Sequence, residues 1–178
     1  AGAFIDGQLQ GAIAEKPFVI HLATARPVQL GHAYSPRYTG GGAFALTNTL
    51  RGSTNLQDGL WQGYEGVNLE AVIDLGQAQT VQTLSTGFLQ DVGSWVFLPT
   101  AVTYALSLDG QEFTEVATIK NDASARASEP QTKDFTASIS PTRTRFVKVV
   151  AQTPGVCPEW HAGAGAKCWI FVDEIIVE

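Results

Sequence analysis

TAVTYALSLDGQEF, residues 100–113, is the stretch that decides the fold. From Val102 to Leu108 apolar residues alternate with small or polar ones, which is the period of a strand with one buried face. Asp109-Gly110 follows at once, and this dipeptide favours the tight turn of a β-hairpin. Phe113 to Ile119 has the composition of the returning strand. The stretch therefore predicts an antiparallel hairpin.

Segments of the same kind recur along the chain at short intervals, separated by turn residues. Short strands at regular spacing, with no convincing helical pattern between them, are typical of a β-sandwich or barrel. The sequence thus predicts an all-β protein in which one sandwich accounts for everything after Lys16. The other predicted strands are Phe18–Leu22, Val28–Leu30, Asn68–Gly76, Val81–Phe88, Phe135–Ile139, Arg145–Ala151 and Trp169–Val177.

The predicted domain covers residues 16–178, and residues 1–15 differ from it in composition and pattern. This first segment is small, polar and aperiodic apart from a few apolar residues, so it is either a linker from a preceding domain or a strap packed on the surface. The sequence has no methionine, even at position 1. We therefore expect a start that was processed or a domain excised from a longer chain.

The charge balance excludes several classes of function. With 11 basic residues, 17 acidic residues and a net charge of −6, the chain lacks the basic surface that phosphate backbones require. No apolar run approaches the ~20 residues of a membrane helix. A soluble protein that binds no nucleic acid is expected.

Nothing in the sequence predicts catalysis. His21, His32 and His161 lie in unrelated contexts, and no nucleophile elbow, zinc-protease motif or phosphate-binding glycine loop is present. A carboxylate pair for glycoside cleavage cannot be assigned from the scattered acids. The chain is therefore interpreted as non-catalytic.

The two cysteines, Cys157 and Cys168, flank a loop rich in glycine and alanine. We predict a disulfide, which would close a short loop and stabilise the fold by roughly 2–3 kcal/mol. Free buried thiols are the alternative, and a zinc site lacks further ligands. A disulfide would imply an oxidising compartment, so a secreted or periplasmic location is expected.

Three loop segments combine aromatic and polar residues, as sugar-binding loops do: aromatic rings stack on pyranose faces while polar groups take the hydroxyls. Trp61 belongs to the first, but core packing is the favoured role for Trp61 and for Trp169. The second and third segments, around Trp95 and Trp160, lie beside polar, glycine-rich residues. The predicted ligand-binding residues are Gln90, Asp91, Trp95, Glu159, Trp160 and His161.

The turn between Asn48 and Ser53 is a candidate cation site. Hard cations take oxygen ligands, many of them backbone carbonyls in such turns. Glu174 is the acid that would complete the set from elsewhere in the chain. The alternative is an Asx-type turn without an ion.

Taken in order, these segments resemble a known family. The turn with Asn48 and Ser53, then Trp61, LEAVIDLG, VTYALSLDGQEF, RFVKVVAQ and WIFVDEIIV, resemble the discoidin or coagulation factor V/VIII type C superfamily. Its sugar-binding branch is the family 32 carbohydrate-binding modules. GGGAFALTNTLRGS, LWQGYEG, FLQDVGSWVFLPT and GVCPEWHAGAGAKCWIFVDEI are similar to the C-terminal domain of bacterial family 20 β-hexosaminidases.

The resemblance implies a jelly-roll sandwich of the galactose-binding-domain type, with about eight antiparallel strands. It also implies a structural calcium ion. Asn48-Thr49 stands where the family has Asp-Gly, which removes one negative charge from the site. The implied ligands are the side chains of Asn48, Ser53 and Glu174 and the carbonyls of Ala45 and Leu50.

The predicted function is a carbohydrate-binding module that tethers an attached glycoside hydrolase to galacto- or hexosamine-type glycans. Weak, shallow sites of this kind act through effective concentration. The main alternative is a structural accessory domain of a β-hexosaminidase that binds no sugar. A protein- or lipid-binding discoidin domain is a further alternative. The acidic neighbours Glu65, Asp91 and Glu159 disfavour anionic lipid.

Overall fold

The computed structural model describes residues 3–11 and 18–178. In these residues the chain is all-β: two three-residue 3₁₀ turns, Ala45–Thr47 and Val92–Ser94, are the helical segments there. Neither is long enough to cross a membrane. The strands are β1 Ala3–Ile5, β2 Gln8–Gln10, β3 Val28–Leu30, β4 Gln62–Glu65, β5 Leu69–Gln90, β6 Ala101–Ser107, β7 Thr114–Lys120, β8 Gln131–Gln152 and β9 Trp169–Val177.

Strands β3 to β9 form one continuous antiparallel system in the order β4-β9-β5-β8-β6-β7, with β3 paired to β5. The long strands β5 and β8 belong to both layers of the sandwich. Their first register break lies between Asp74 and Gln79 of β5, and the second lies between Val81 and Thr83. One half of β5 pairs with β3 in the first layer, and the other half pairs with β9 in the second. The predicted sandwich is confirmed.

The core fills the space between the two layers with apolar side chains from both. Phe88 and Phe135 meet edge to face, with ring centroids 5.5 Å apart. The Tyr104 hydroxyl of β6 lies 2.6 Å from the carbonyl oxygen of Phe135 and 3.0 Å from Oγ1 of Thr86. Its single proton goes to the carbonyl, which can only accept. This buried bond ties β6 in one layer to β8 in the other.

The predicted strands are mostly confirmed, with two mergings and one error. Asn68–Gly76 and Val81–Phe88 are both parts of β5, and the two segments predicted between residues 135 and 151 are both parts of β8. Phe18–Leu22 is not a strand. Residues 18–20 are irregular and exposed, and Leu22 donates a single backbone bond to Val177 O at 2.8 Å. The run is apolar, but in the described residues its backbone makes only this one bond to a strand, at the end of β9, so no ladder forms.

The N-terminal segment contains a small hairpin that the sequence did not predict. Strands β1 and β2 pair antiparallel across Asp6 and Gly7, both of which have positive φ. Phe4 and Ile5 are exposed. The rest of the predicted linker or strap, residues 1–2 and 12–15, lies outside the described residues.

Candidate functional site

Three long loops meet at one end of the sandwich, and they carry the predicted ligand-binding residues. At this end Gln90 of β5 pairs with Gln131 of β8, and Ala101 of β6 pairs with Gln152 of β8. The loops 91–100, 121–130 and 153–168 connect the strands here. We call this the loop end.

His161 holds two of these loops together. Its Nε2 lies 2.9 Å from the carbonyl oxygen of Val92, and its Nδ1 accepts the backbone N–H of Gly163 at 3.0 Å. A carbonyl can only accept, so Nε2 carries the proton and Nδ1 the lone pair. Both ring nitrogens are therefore engaged within the protein. His161 positions the loops, and it has no ring nitrogen left for a ligand.

Two tryptophans flank His161 and reach the surface. The rings of Trp95 and Trp160 each lie 5.9 Å from the His161 ring, both edge to face. Trp95 is 38 % exposed and Trp160 is 39 % exposed, whereas Trp61 is 1 % exposed. Trp61 packs with Leu89, Val96 and Phe171 in a separate apolar cluster. The prediction of core packing is confirmed for Trp61, whereas Trp169, for which it was also made, is only partly buried against the same cluster.

The conformation of Trp95 is fixed by its backbone and by a close neighbour. Its φ is +66°, a left-handed conformation that a bulky residue adopts only when its surroundings hold it. The indole lies on Gly163, where an added Cβ would come within 2.6 Å of Cζ2 of Trp95. The Asp91 and Val96 backbones exchange two hydrogen bonds of 3.0 Å each, which close the loop around Trp95. The ring is therefore presented on a rigid loop.

Arg126 is a site residue that the sequence analysis missed. Its guanidinium carbon lies 4.9 Å from the centroid of the Trp160 ring, a cation–π arrangement. Arg126 is exposed, and it comes from the loop 121–130, which contains no aromatic residue to draw attention to it. The loop end therefore combines two half-exposed indoles with a guanidinium that can donate several hydrogen bonds.

Gln90 is buried, unlike the exposed ligand contact that the sequence suggested. It is 1 % exposed, and its Nε2 donates to the carbonyl oxygen of Ser124 at 2.9 Å. Gln90 lines a cavity of about 170 Å³ between the loops, together with Phe97, Leu98, Thr100, Asn121, Ala125, Pro154 and Pro158. Of the other predicted ligand residues, Glu159 is exposed and Asp91 is half-buried.

The residues of the predicted cation site have other partners in the structure. Asn48 Oδ1 accepts the N–H of Leu50 at 2.8 Å, which is the Asx turn considered from sequence. Ser53 Oγ lies 2.8 Å from Asp58 Oδ2. Glu174 is buried, and its Oε1 lies 2.9 Å from Nε2 of His21. Among the described residues no three His, Cys, Asp or Glu side chains cluster as metal ligands do.

One observation fits a cation nevertheless. Oε2 of Glu174 is buried without a hydrogen-bond partner among the described residues, as a carboxylate oxygen that awaits a cation would be. The 3₁₀ turn containing Ala45 packs against β9, the strand that carries Glu174. Ala45, Asn48 and Leu50 therefore lie on the segment that faces this carboxylate's strand.

Asp173, the neighbour of Glu174, anchors the same turn without an ion. Its Oδ2 accepts Arg51 Nε at 2.8 Å and the backbone N–H of Gly52 at 2.9 Å. Arg51 also pairs with Asp134. Burial raises the pKa of Asp173, and the Arg51 guanidinium acts in the opposite direction. The turn is thus held to β9 by an ion pair of the chain's own.

The predicted disulfide is not formed. Cys157 and Cys168 are both buried with free thiols, in one apolar cluster with Phe97. Burial raises the pKa of both thiols. Disulfide formation proceeds through the thiolate, which this environment disfavours. The alternative of free buried thiols describes the structure.

The fold defines a class of protein, the antiparallel β-sandwich domains of the galactose-binding type, and here the half-exposed tryptophans lie on loops at one end of the sandwich. The chain matches the model of the F5/8 type C domain over residues 31–171, and it belongs to that family. Two of its structural neighbours are carbohydrate-binding modules by their own descriptions. A search of curated proteins finds no significant relative.

Solved structures share the fold at low identity. A family 32 carbohydrate-binding module of a family 89 glycoside hydrolase from Clostridium perfringens, in complex with GalNAc-β-1,3-galactose, has a TM-score of 0.53 and 17% identity, covering 84% of this chain and 92% of its own. Chitosan-binding module 1 of a chitosanase/glucanase from Paenibacillus sp. IK-5 has a TM-score of 0.55 and 16% identity, covering 89% and 98%. A family 32 module of a family 31 glycoside hydrolase from C. perfringens has a TM-score of 0.56 and 15% identity, covering 91% and 99%.

The contact between Trp95 and Gly163 gives a first prediction. Gly163→Ala places a methyl group where the indole lies, so the ring must move, and we expect a shifted fluorescence emission maximum with the fold retained by circular dichroism. Gly93→Ala, in the loop that carries Trp95, is the matched control, because the nearest neighbour of its added methyl group would lie 3.7 Å away. An unchanged spectrum for Gly163→Ala would show that Trp95 does not rest on this residue.

Proposed function

We propose that this domain binds glycans at the loop end and tethers an attached glycoside hydrolase to its substrate. The observation that carries the proposal is the half-exposure of Trp95 and Trp160 on loops that His161 fixes in place. Exposed indoles are costly to solvate, and rigid, partly wet aromatic surfaces of this kind are typical of binding sites.

The chemistry of the loop end suits a neutral sugar. The apolar face of a pyranose ring packs on an indole, and its hydroxyls require hydrogen-bonding groups at the edge of the platform. Arg126 and Glu159 are exposed beside Trp160 and supply donors and acceptors. The glycans proposed are galacto- or hexosamine-type. The neighbours above are described as modules of glycoside hydrolases, one of them with a GalNAc-containing disaccharide.

The proposed context is a secreted or periplasmic bacterial enzyme. The similarity of the tryptophan loops to the C-terminal domain of family 20 β-hexosaminidases supports an enzyme of that activity as the attached partner. A shallow site binds weakly by itself, and the linkage to a catalytic domain converts weak binding into a raised local substrate concentration.

A second candidate function is a structural accessory domain that docks on the catalytic domain. The observation in its favour is the apolar run Phe18, Val19 and Ile20, whose side chains are 64 %, 62 % and 74 % exposed. Three consecutive exposed apolar residues are costly in water and typical of a surface that contacts protein. This run and the tryptophans of the loop end are separate features, so each function can be tested alone.

Substitution of the tryptophans separates these functions. Trp160→Ala is expected to weaken glycan binding at least about tenfold, because a lost stacking contact of about 1.4 kcal/mol has that effect. Its thermal stability should change little, since Trp160 is half-exposed. Isothermal titration with a panel of galactose, N-acetylgalactosamine, N-acetylglucosamine and chitin oligosaccharides measures the effect.

Trp61→Ala is the control, because a fully buried indole contributes about 3–5 kcal/mol to stability through packing. The Trp61→Ala variant should have a lower melting temperature than the parent domain. The fraction of it that remains folded should still bind glycan. If Trp160→Ala binds every sugar as the parent domain does, or if the folded parent domain binds none, the accessory-domain function is favoured instead.

We propose separately that the turn of residues 45–53 binds calcium, with Glu174 as its carboxylate ligand and Asn48, Ser53, Ala45 and Leu50 as the other oxygen donors. The buried, unpartnered Oε2 of Glu174 supports this proposal. Calcium would supply the positively charged partner that this oxygen lacks, and it would fasten the turn to β9. Asn48 provides an amide where a carboxylate would bind more strongly, so we expect modest affinity.

A chelator tests the calcium proposal. Because an ion that binds only the folded state stabilises it, treatment with EDTA should lower the melting temperature, and added calcium should restore it. Magnesium at equal concentration is the control for general ionic effects. Elemental analysis that finds no calcium after dialysis against it, together with an unchanged melting curve, would refute the site.

A further inference from the structure

The bond between His21 and Glu174 is buried, and its two side chains are only partly satisfied. Nε2 of His21 lies 2.9 Å from Oε1 of Glu174, and each side chain is 1 % exposed. The carboxylate oxygen accepts, so the imidazole donates from Nε2. Nδ1 of His21 and Oε2 of Glu174 are also buried, and neither has a hydrogen-bond partner among the described residues. Because buried polar atoms without partners are costly, a gain in stability alone does not account for this pair.

The segment that carries His21 is bonded to the proposed calcium-binding turn of residues 45–53. The N–H of His21 donates to Oγ1 of Thr24 at 2.9 Å, and the N–H of Thr24 donates back to the carbonyl oxygen of His21 at 3.0 Å. The next residue, Ala25, donates its N–H to the carbonyl oxygen of Thr47 at 2.7 Å. Thr47 belongs to the calcium-binding turn. The backbone of His21 is therefore fixed, and it is fixed next to that turn.

A β-bulge in β9 sets the direction of Glu174. The register of β5 with β9 shifts between Thr86 and Phe88, so two residues of β9, Asp173 and Glu174, oppose Gly87 alone. A side chain at position 87 would not fit there, because an added Cβ would collide with the carboxylate of Asp173. Bulges change the direction of side chains and are frequent beside functional sites. The bulge therefore gives Glu174 a direction that a regular strand would not give it.

The two acids of the bulge have different partners. Asp173 binds the guanidinium of Arg51 and the backbone N–H of Gly52, and these contacts hold the turn to β9. Glu174 has the N–H of His21 and, in the described part of the chain, no lysine or arginine within ion-pair distance. A buried carboxylate needs a cation or further donors to offset its loss of hydration. Of the two acids, Glu174 is therefore the one that is left to bind an ion.

We propose that His21 is the positioning residue of the calcium site: it holds Oε1 of Glu174, so that Oε2 is the oxygen offered to the ion. The inference rests on the calcium proposal made above, and it names a residue outside the ligand set. A ligand that is held in place before the ion arrives loses less freedom on binding. Because Oε1 is engaged, Glu174 gives calcium one oxygen and not two. This adds to the effect of the Asn48 amide in keeping the affinity modest.

Calorimetric titration of the intact domain with calcium tests this role. His21→Phe keeps a ring of similar size and removes the donor, so calcium should bind at least about tenfold more weakly. His21→Gln places an amide N–H close to the position of the imidazole Nε2, and it should restore most of the affinity. His32→Phe is the matched control. Nε2 of His32 lies 3.8 Å from Oε1 of Glu70 in an exposed pair with no proposed role at the turn, so this variant should bind calcium as the parent domain does.

The parent domain provides a second test that needs no variant and that decides the question if His21→Phe does not fold. The chain has three histidines, and ¹H–¹⁵N spectra of their rings report the tautomer of each. In the calcium-loaded domain His21 should carry its proton on Nε2. Its ring signals should shift as calcium is added, whereas those of His32 should not.

The outcomes separate the role of His21 from the calcium site itself. If folded His21→Phe binds calcium as tightly as the parent domain, or if the ring signals of His21 do not change at saturating calcium, the positioning role is overturned and the calcium site remains. If the parent domain takes up no calcium in the titration, the calcium proposal fails, and the role of His21 fails with it.

Discussion

The pairing of β5 with β8 is the constraint on which the rest of the structure depends. Both strands are 22 residues long, and they remain partners through two register breaks while passing from one layer of the sandwich to the other. The remaining strands of the sandwich add to this pair directly or through one neighbour. The last residue of β5 pairs with the first residue of β8 at the loop end. The loop that follows β5 and the loop that precedes β8 therefore meet there. The site is a consequence of this topology.

The loop end is rigid because its polar groups bind one another. His161 uses both ring nitrogens to join the loops 91–100 and 153–168, and Gln90 joins β5 to the loop 121–130 through Ser124. Buried polar groups with fixed partners allow two large indoles to remain half-exposed without collapsing onto the surface. A site ordered before its ligand arrives loses less entropy on binding, which matters most for weak ligands such as single sugars.

Local patterns in the sequence predict much of the fold. The alternation in residues 102–108 and the Asp109-Gly110 turn correspond to β6 and its return in β7. The failure at Phe18–Leu22 has a physical cause: β propensity gives a strand only where a ladder of backbone bonds forms, and in the described residues this run bonds to β9 at Leu22 alone. The split of β5 into two predicted strands arises because Gly76 and its neighbours look like a turn, although pairing with β8 resumes beyond them.

The site could be predicted only in part. Trp95, Trp160 and His161 were grouped from sequence because aromatic residues beside glycine and polar residues are a local signal, and the structure brings the three rings together at the loop end. Arg126 was missed because its role depends on a contact with Trp160, which lies on a loop far away in sequence. The bond between His21 and Glu174 joins residues 153 positions apart, and no local pattern reveals it. Gln90 lies at the predicted end of the sandwich, as the last residue of β5, but it is buried and not exposed as expected.

The most direct test of the account is a ¹H–¹⁵N NMR titration of the domain with N-acetylhexosamines, followed at the indole N–H signals. The chain has four tryptophans, so four such signals report at once on two surface rings, the buried Trp61 ring and the partly buried Trp169 ring. The account predicts saturable shifts for Trp95 and Trp160, with Trp61 and Trp169 nearly unmoved. Shifts confined to Trp61 and Trp169, or none in folded protein at saturating sugar, would contradict glycan binding at the loop end.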